Sequence, residues 1–386
     1  MIRKWYLFCG CLLLLYLPVS AQELSGYINV MPSLIVQHPD DNAWWQLLAH
    51  NRLNFNWQIT DYLRVDAGMR NRMLTGSEAM LSPQSISTDP GWMDMSWNWV
   101  DNVGARHTLP LLVNTSLDRL YITFEKDKWK LQVGRQRVNW GQTFVWNPND
   151  IFNTYSFFDF DYPERAGCDA FRGTYFHTET SSSELAVSVN HNNKITAAFR
   201  HRWNRNNIDY QLIAGEQTET DFVVGGALTG DIKGLNLRGE LSYFHPVKKS
   251  ADSSGIIALS FGADYIFPGA LMLQAEVLYN NTDKSLSNNG LMGMYAAPLS
   301  AKNLSVSNWN VFVNASRPIT PRLNGALSGM YFVDIQSCYA GLSLDYSVIE
   351  NLDFSFIAQY FSTLGTSSPP DNMRVLMTFA RLKYSF

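Results

Sequence analysis

Apolar and polar residues alternate along most of this chain. In residues 46–59 the odd positions are mainly apolar, including Phe55 and Trp57, whereas the even positions include Arg52 and Asn54. Such a period of two places alternate side chains on opposite faces of a β-strand. In residues 62–72 the pattern repeats, with Arg64, Asp66, Arg70 and Arg72 on the polar face. A helix would scatter these charges around its axis, so both segments are predicted strands.

The same alternation recurs to the last residue and predicts about 18 strands, an even number as bacterial barrels require, with 16 as the nearest alternative. The predicted strands are 24–36, 46–59, 62–72, 117–125, 128–137, 169–177, 183–190, 194–203, 208–215, 220–230, 234–244, 254–267, 270–280, 306–317, 322–332, 336–346, 351–362 and 373–386. The predicted fold class is all-β, a transmembrane antiparallel up-and-down barrel.

The connections between these strands fall into two groups. If the first strand rises from the periplasm, the periplasmic turns are all brief, as at Thr60-Asp61 and Pro268-Gly269. The long segments 73–116, 138–168, 281–305 and 363–372 then all lie on the external side, with 191–193 as a short exception. Short periplasmic turns and long external loops are typical of outer-membrane barrels, whereas a soluble β-sandwich need not sort its loops.

Composition shows what the apolar faces meet. Aromatic residues make up 13% of the chain and charged residues only 17%, against about 25% charged in average proteins. No apolar run after Ala21 is long enough to be a spanning helix, which needs about 20 residues. A barrel in a bilayer accounts for both observations, because its outer face and its aromatic girdles contact lipid.

Both ends of the chain indicate export to an outer membrane. Residues 1–21 read as a cleavable signal peptide, with Arg3 and Lys4 before a short apolar core and small residues before Gln22. Residues 22–386 then form a single barrel domain. The last strand resembles the C-terminal strand that the barrel-assembly machinery of Gram-negative bacteria reads, through its alternate residues Leu382, Tyr384 and Phe386.

One long external segment carries a motif. Its parts are Gly134-Arg135-Gln136, Trp140-Gly141, Asn147-Pro148 and Asp150. Over residues 134–172 this resembles porin-like outer-membrane barrel families of Gram-negative bacteria, whose function is largely uncharacterised. The resemblance implies a porin or transporter and names no solute. Gly134 also offers a place for a bulge that would turn Arg135 away from the lipid-facing register.

The motif segment has two open interpretations, a loop that folds inward and narrows the pore or a self-packed external cap. The candidate constriction residues are Arg135, Arg137, Trp140, Trp146, Asn147, Asp150, Asp161 and Arg165. If the loop folds inward, its carboxylates, which include Asp159 and Glu164, can neutralise arginines of the barrel wall.

Strand parity also predicts a basic inner wall in the first half of the chain. The candidate lumen residues are Arg52, Arg64, Asp66, Arg70, Arg72, Arg119, Glu125, Arg172, Arg200 and Arg202. Arginines around a water path favour anions. Alternatively, Arg–carboxylate pairs only brace the interior. Asp66 and Glu125 are the carboxylates that parity places beside the first five arginines.

The predicted function is a channel for passive or selective passage of small hydrophilic solutes, leaning towards anions. An accessory barrel that partners another membrane complex is an alternative. An outer-membrane enzyme is less favoured, because His50 and His177 have no neighbouring Ser or carboxylate pattern and no hydrolase motif occurs. The predicted partners are outer-membrane lipid and the assembly machinery, without nucleic acid; the oligomeric state stays open.

The cysteines and the other potential ligands predict no cofactor and no metal. His, Cys and carboxylate residues show no ligand spacing along the sequence. Cys168 and Cys338 fall near the external ends of strands far apart around the barrel. They are therefore expected to be free thiols, because bridged Cα atoms lie within about 7 Å.

Overall fold

A computed structural model describes residues 22–38, 42–77, 89, 91–101, 110–158, 160–247, 254–281, 300–363 and 374–386. The predicted signal peptide, Asp159, and much of the predicted loops 73–116, 281–305 and 363–372 lie outside these residues. The described strands are β1 Gln22–His38, β2 Asn42–Thr60, β3 Leu63–Gly76, β4 Ser96–Asp101, β5 Leu111–Lys126, β6 Trp129–Gln136, β7 Cys168–Thr178, β8 Ser181–Val189, β9 Ile195–Arg205, β10 Ile208–Gln217, β11 Asp221–Ile232, β12 Leu235–Pro246, β13 Ile256–Ile266, β14 Met272–Asn280, β15 Trp309–Thr320, β16 Leu323–Phe332, β17 Ser337–Ile349, β18 Leu352–Thr363 and β19 Arg374–Ser385.

Eighteen of these strands, all except β4, form one closed antiparallel barrel. Each of the 18 pairs with its neighbours along the chain, and β1 closes the barrel by pairing with both β2 and β19. The short strand β4 is the exception. It pairs with the part of β5 beyond the end of β6, so it continues the wall where β6 stops. The predicted barrel of about 18 strands is confirmed, and the alternative of 16 is wrong.

The two ends of the barrel differ as the connections predicted. One end carries tight turns, such as Asn206-Asn207 between β9 and β10, where both residues have positive φ. That geometry matches the twist of the flanking strands. Phe386 exchanges two backbone hydrogen bonds with Gly26, so both described chain ends lie at this short-turn end. The long connections lie at the opposite, long-loop end.

The outer face is apolar and carries aromatic side chains near the short-turn end. Exposed aromatics there include Tyr62, Trp129, Phe267, Tyr346, Phe354, Tyr384 and Phe386. A girdle of this kind places amphipathic rings at the boundary between hydrocarbon and water. No helix among the described residues is long and apolar enough to cross a membrane.

The inner face differs between the two halves of the barrel. Towards the long-loop end, buried inward side chains are often apolar, for example Leu112, Phe244 and Leu278. Towards the short-turn end they are mainly Arg, Asp, Asn, Gln and Ser. The apolar half requires a packing partner inside the barrel, and the chain supplies one from the segment between β6 and β7.

Candidate functional site

Residues 137–158 and 160–167, here called the inner loop, leave the wall after β6 and lie inside the barrel before β7 begins. Val138, Trp140, Asn149 and Asp150 of this segment are fully buried. From its first to its last residue, the loop contacts β8, β12, β14, β17, β18 and then β3. The contacts that trace this path are Trp140 with Glu184, Thr143 with Glu240, Val145 with Glu276, Phe158 with Tyr339 and Phe361, and Asp161 with Arg70.

Glu240 on β12 binds the first part of the inner loop. Its Oε1 accepts hydrogen bonds from the backbone N–H groups of Gln142 and Thr143, and from the Thr143 hydroxyl at 2.9 Å. Its Oε2 accepts the backbone N–H of Asn149 at 2.9 Å. Irregular backbone inside a barrel must find partners for its polar groups. A buried carboxylate with no cation among these contacts therefore serves as an anchor for the loop.

Glu276 on β14 binds the next three residues in the same way. Its carboxylate accepts backbone N–H groups from Phe144, Val145 and Trp146, at 2.8, 3.0 and 2.8 Å. The Ser260 hydroxyl donates to it at 2.8 Å. Consecutive backbone N–H groups that converge on one anion form a nest. The wall thus holds the loop by charge-assisted hydrogen bonds, which are stronger than neutral ones.

Trp140 and Asp150 form the buried start of the loop. The Trp140 indole donates to Glu184 at 2.7 Å, and Glu184 also pairs with Arg172 and Arg200, each at 2.8 Å. Asp150 lies within the loop, where Trp140 N approaches its Oδ1 at 3.4 Å. Burial raises the pKa of Asp150 to about 7, against the opposing charge of Arg137.

An aromatic cluster fixes the middle of the loop to the far wall. Phe157 and Phe158 pack edge-on against Phe312, Tyr339 and Phe361, with ring centroids 5.1 to 6.2 Å apart. Phe160 packs against Phe379 in the same way. Edge-to-face pairs at these separations are favourable beyond their area burial. This side of the lumen is therefore apolar at the level of the loop.

The last part of the loop reaches the predicted basic wall. Asp161 accepts a hydrogen bond from Arg70 at 3.1 Å and lies 3.4 Å from His50. Burial opposes ionisation of Asp161, but His50 and Arg70 outweigh it and hold the pKa of that carboxyl below its usual value. Tyr162 lies under the Arg70 guanidinium, 3.9 Å from its ring centroid. The inward loop thus supplies a carboxylate to this wall.

A second buried pair was missed by strand parity. Arg52 binds Asp118 at 2.5 Å, and the Tyr162 hydroxyl donates to the same carboxylate. The pairing of β3 with β5 shifts by one residue between Gly68 and Met69, so both Asp118 and its neighbour Arg119 face the interior. The expectation that only Asp66 and Glu125 accompany these arginines is therefore wrong.

The remaining lumen candidates have different surroundings. Arg64 pairs with Asp66 at 2.9 Å, and Arg72 donates twice to Asn114. Arg119 donates to the backbone carbonyls of Glu164 and Arg165 and so holds the end of the loop. Glu125 is an exposed rim residue 3.1 Å from Lys130. Arg202 is half-buried on the inward face of β9 beside Arg200.

Arg135 lies within the barrel wall and is surrounded by hydrogen-bond acceptors. It pairs with Asp89 and Asp169 and donates to the carbonyls of Met93 and Leu117. These contacts bind β6 and β7 to the segment that leads into β4. Pairing runs unbroken through Gly134, so the bulge suggested there does not form. A φ of 120° at Gly134 takes its place, and a Cβ there would lie 2.2 Å from the Leu120 carbonyl oxygen.

The other constriction candidates meet around one tyrosine of the loop. The Arg165 and Arg137 guanidinium groups lie 4.2 and 5.6 Å from the centroid of Tyr155, and Asn147 donates to its hydroxyl at 3.3 Å. Trp146 is buried against the apolar half of the wall. These residues brace the loop on itself as well as on the barrel.

A small cavity of about 60 Å³ remains where the loop meets the basic wall. Its lining includes Arg70, Arg72, Asn114, Asp118 and Tyr162. Polar groups of this kind suit water or a small polar solute. Cys168 and Cys338 are both free, and no group of three or more His, Cys, Asp or Glu side chains in the described ranges is arranged to hold a metal ion.

Solved structures of outer-membrane porins match this closed antiparallel barrel of 18 strands. Pseudomonas aeruginosa OccK7 (OpdD) matches 95% of this chain and 98% of its own, with a TM-score of 0.59 and 6% identity. Acinetobacter baumannii OccAB4 matches 95% and 99%, with a TM-score of 0.57 and 10% identity. P. aeruginosa OpdK, solved with vanillate, matches 94% and 99%, with a TM-score of 0.57 and 9% identity.

Identities this low establish a common fold and leave the solute open. No protein-family model matches the sequence, and neither does any curated protein. The structural neighbours are channel porins and not enzymes. A porin-like barrel is therefore the fold that the structure and the comparison define together.

Proposed function

We propose that this chain is an outer-membrane channel that passes small hydrophilic solutes around the inner loop and prefers anions. The porin fold supports a channel, and the apolar outer face with its aromatic girdle supports a position in the outer membrane. The predicted signal peptide provides the export route. The polar short-turn half of the lumen supplies the water-filled entrance that such solutes require.

The observation that carries the anion preference is the orientation of three ion pairs. In each pair the guanidinium is more exposed than its carboxylate: 41% against 12% for Arg64 and Asp66, 23% against 1% for Arg172 and Glu184, and 30% against 4% for Arg238 and Asp264. Solutes in the lumen therefore meet the positive partner first. Because guanidinium stays charged at any physiological pH, the positive electrostatic potential from these arginines persists throughout that pH range.

The opposite wall limits how strong the preference becomes. There Asp345 is more exposed than Arg381, 45% against 21%, and most inward groups are hydroxyls and amides. The loop carboxylates Asp161 and Glu164 also offset part of the basic wall. A modest selectivity for anions over cations is therefore expected, because only part of the wall around the lumen is basic.

Single-channel recording in planar bilayers with a KCl gradient tests this proposal. Arg64→Ala leaves Asp66 without its partner and should move the reversal potential towards that of cations. The double variant Arg64→Ala/Asp66→Ala removes the whole pair and should move it less. Arg205→Ala, on the outward face of β9, is the control and should change nothing. An unaltered reversal potential in Arg64→Ala would contradict the anion preference.

The apolar packing around the inner loop supports a second candidate, a non-conducting accessory barrel. Leu112, Val138, Trp140 and Phe244 are fully buried in the long-loop half, where a porin is expected to hold water. Conductance separates the candidates. Conduction by the wild-type barrel, or by the Glu276→Gln variant with its loosened loop, would identify a channel. A barrel that conducts in neither form is an accessory protein.

The solute class can be tested with vesicles. Vanillate, present in the OpdK structure, is a carboxylate and serves as a probe anion. Its entry into vesicles that contain the barrel should exceed that of a neutral sugar of similar size. Equal entry of the two probes would indicate a pore without charge preference.

A further inference from the structure

Three side chains from neighbouring strands meet on the outer face near the short-turn end. His177 is at the end of β7, Ser183 near the start of β8 and His201 on β9. The Ser183 hydroxyl lies 2.8 Å from Nε2 of His177 and 3.0 Å from Nδ1 of His201. The predicted function of the lumen uses none of these groups.

The strand register brings them together. Ser183 is directly opposite His201 across β8 and β9, and opposite Tyr175 across β7 and β8. The tight turn after β7 then brings His177 close to Ser183 at the rim of the barrel. Because the two histidines are on different strands, no spacing along the sequence marks the cluster.

Aromatic neighbours hold both imidazole rings in place. Tyr175 packs edge-on against His177, with ring centroids 5.0 Å apart. Trp203 stacks on His201 at 5.5 Å, and Tyr210 stacks on Trp203 at 5.3 Å. This packing restricts the rotation of the rings before any ligand binds, which lowers the entropy lost on binding. His177 remains exposed, so the cluster is accessible from the aqueous rim.

The hydrogen bonding within the cluster depends on the tautomers of the two imidazole rings. A hydroxyl has one proton and can donate to one imidazole nitrogen, while it accepts from a second. If both facing nitrogens carry lone pairs, one of them has no donor from Ser183. In the described part of the chain, no carboxylate or amide side chain hydrogen-bonds to either ring, so the third member that orients the base in a hydrolytic triad is missing.

We propose that His177, Ser183 and His201 bind a first-row transition-metal dication such as Zn²⁺. Imidazole nitrogens suit zinc, copper and nickel. In a tetrahedral zinc site with Zn–N of about 2.0–2.1 Å, neighbouring ligand atoms lie roughly 3.3 Å apart. The two distances from Ser183, 2.8 and 3.0 Å, are slightly shorter, so the rings must move away from the hydroxyl to admit an ion. Nε2 of His177 and Nδ1 of His201 bind it, with the hydroxyl as third donor and water completing the shell.

Zn²⁺ titration by calorimetry tests this site on the folded full-length barrel in detergent. We expect saturable binding of one ion, lost in His177→Ala and in His201→Ala. Ser183→Ala should keep both imidazoles and weaken binding without abolishing it, because it removes the third donor. His245→Ala is the matched control, since His245 is also exposed on the outer face beside a tyrosine, and it should bind as the wild type does.

Cu²⁺ provides a direct count of the ligands. Electron paramagnetic resonance of the Cu²⁺-loaded barrel should show coupling to two nitrogens, reduced to one in either alanine variant. Unchanged Zn²⁺ binding or unchanged nitrogen coupling in His177→Ala or His201→Ala would overturn the proposal, as would loss of binding in His245→Ala. Heat-modifiable migration of each variant verifies that the barrel is folded.

Discussion

Replacement of Glu276 by Gln should release the inner loop without changing the volume of the wall. The carboxylate accepts three backbone N–H groups, from Phe144, Val145 and Trp146, together with the Ser260 hydroxyl. An amide keeps one acceptor oxygen and brings an NH₂ group against N–H donors. At least one hydrogen bond to a charged acceptor is lost, and the rest become neutral.

The size of the effect follows from the burial of Glu276, which is 1% exposed. Solvent screening is therefore small at this position. A hydrogen bond to a charged group contributes about 1.5–3 kcal/mol. Since about 1.4 kcal/mol is a factor of ten in an equilibrium constant, the loop should open roughly tenfold to a hundredfold more often than in the wild type.

Cys168 reports the opening. Its Sγ lies 3.4 Å from Asn153 Oδ1 of the inner loop and 3.6 Å from the Gln136 carbonyl oxygen of β6, so the loop covers one side of this partly buried residue. In a Cys338→Ser background, the rate of modification by a charged thiol reagent measures the open population if closing is fast relative to modification.

The control is Glu125→Gln, because Glu125 is an exposed glutamate at the rim and contacts no part of the loop in the described structure. It should leave the rate unchanged, while Glu276→Gln should raise it by the factor above. The same rate in Glu276→Gln and in the wild type would refute the role of Glu276 as an anchor.

Two further predictions concern the loop and the chain end. The pKa of Asp150 is raised to about 7 in the packed loop, so packing of the loop is strongest at low pH and weakens as pH rises from about 4 through 7. Asp150→Asn should therefore slow Cys168 modification relative to the wild type at pH 8, and much less so at pH 5. Equal ratios of variant rate to wild-type rate at the two pH values would refute this. Phe386→Ser should lower the amount of folded barrel in cells, because Phe386 completes the pairing between the first and last strands and presents an exposed ring. Heat-modifiable migration measures the folded fraction, and Leu327→Ser, at an outward position, is the control. An equal loss in both variants would argue against a special role of the C-terminal residue.

Strand number, pairing order and the two kinds of connection follow from the sequence, because a lipid-facing side and a water-facing side impose period two on each strand. The limit of this reasoning is illustrated by Asp118. A single shift in register between β3 and β5 reverses the parity within one strand. Leu117 and Arg119, the neighbours of Asp118 in sequence, include no glycine or turn residue, and the glycine at the shift, Gly68, lies on the other strand, so a buried partner of Arg52 stayed unpredicted.

The position of the inner loop illustrates a different limit. Its residue types indicated a loop of interest, and Trp140, Asp150 and Asp161 were among the candidates. However, Glu240 and Glu276 hold it by binding backbone N–H groups. Every residue except proline carries such a donor, so the loop sequence contains no complementary charge from which these anchors could be inferred.

The anchoring of the loop also links the size of a passage to its selectivity. With the loop in place, Glu240 and Glu276 are covered by backbone donors, while arginines such as Arg64 and Arg238 are partly exposed in the lumen. Displacement of the loop uncovers both carboxylates and removes Asp161 from Arg70. Two anions on one wall are then exposed while one cation on the other is freed. A wider passage therefore acquires a more even balance of charge, and anion preference belongs mainly to the narrow, loop-closed form.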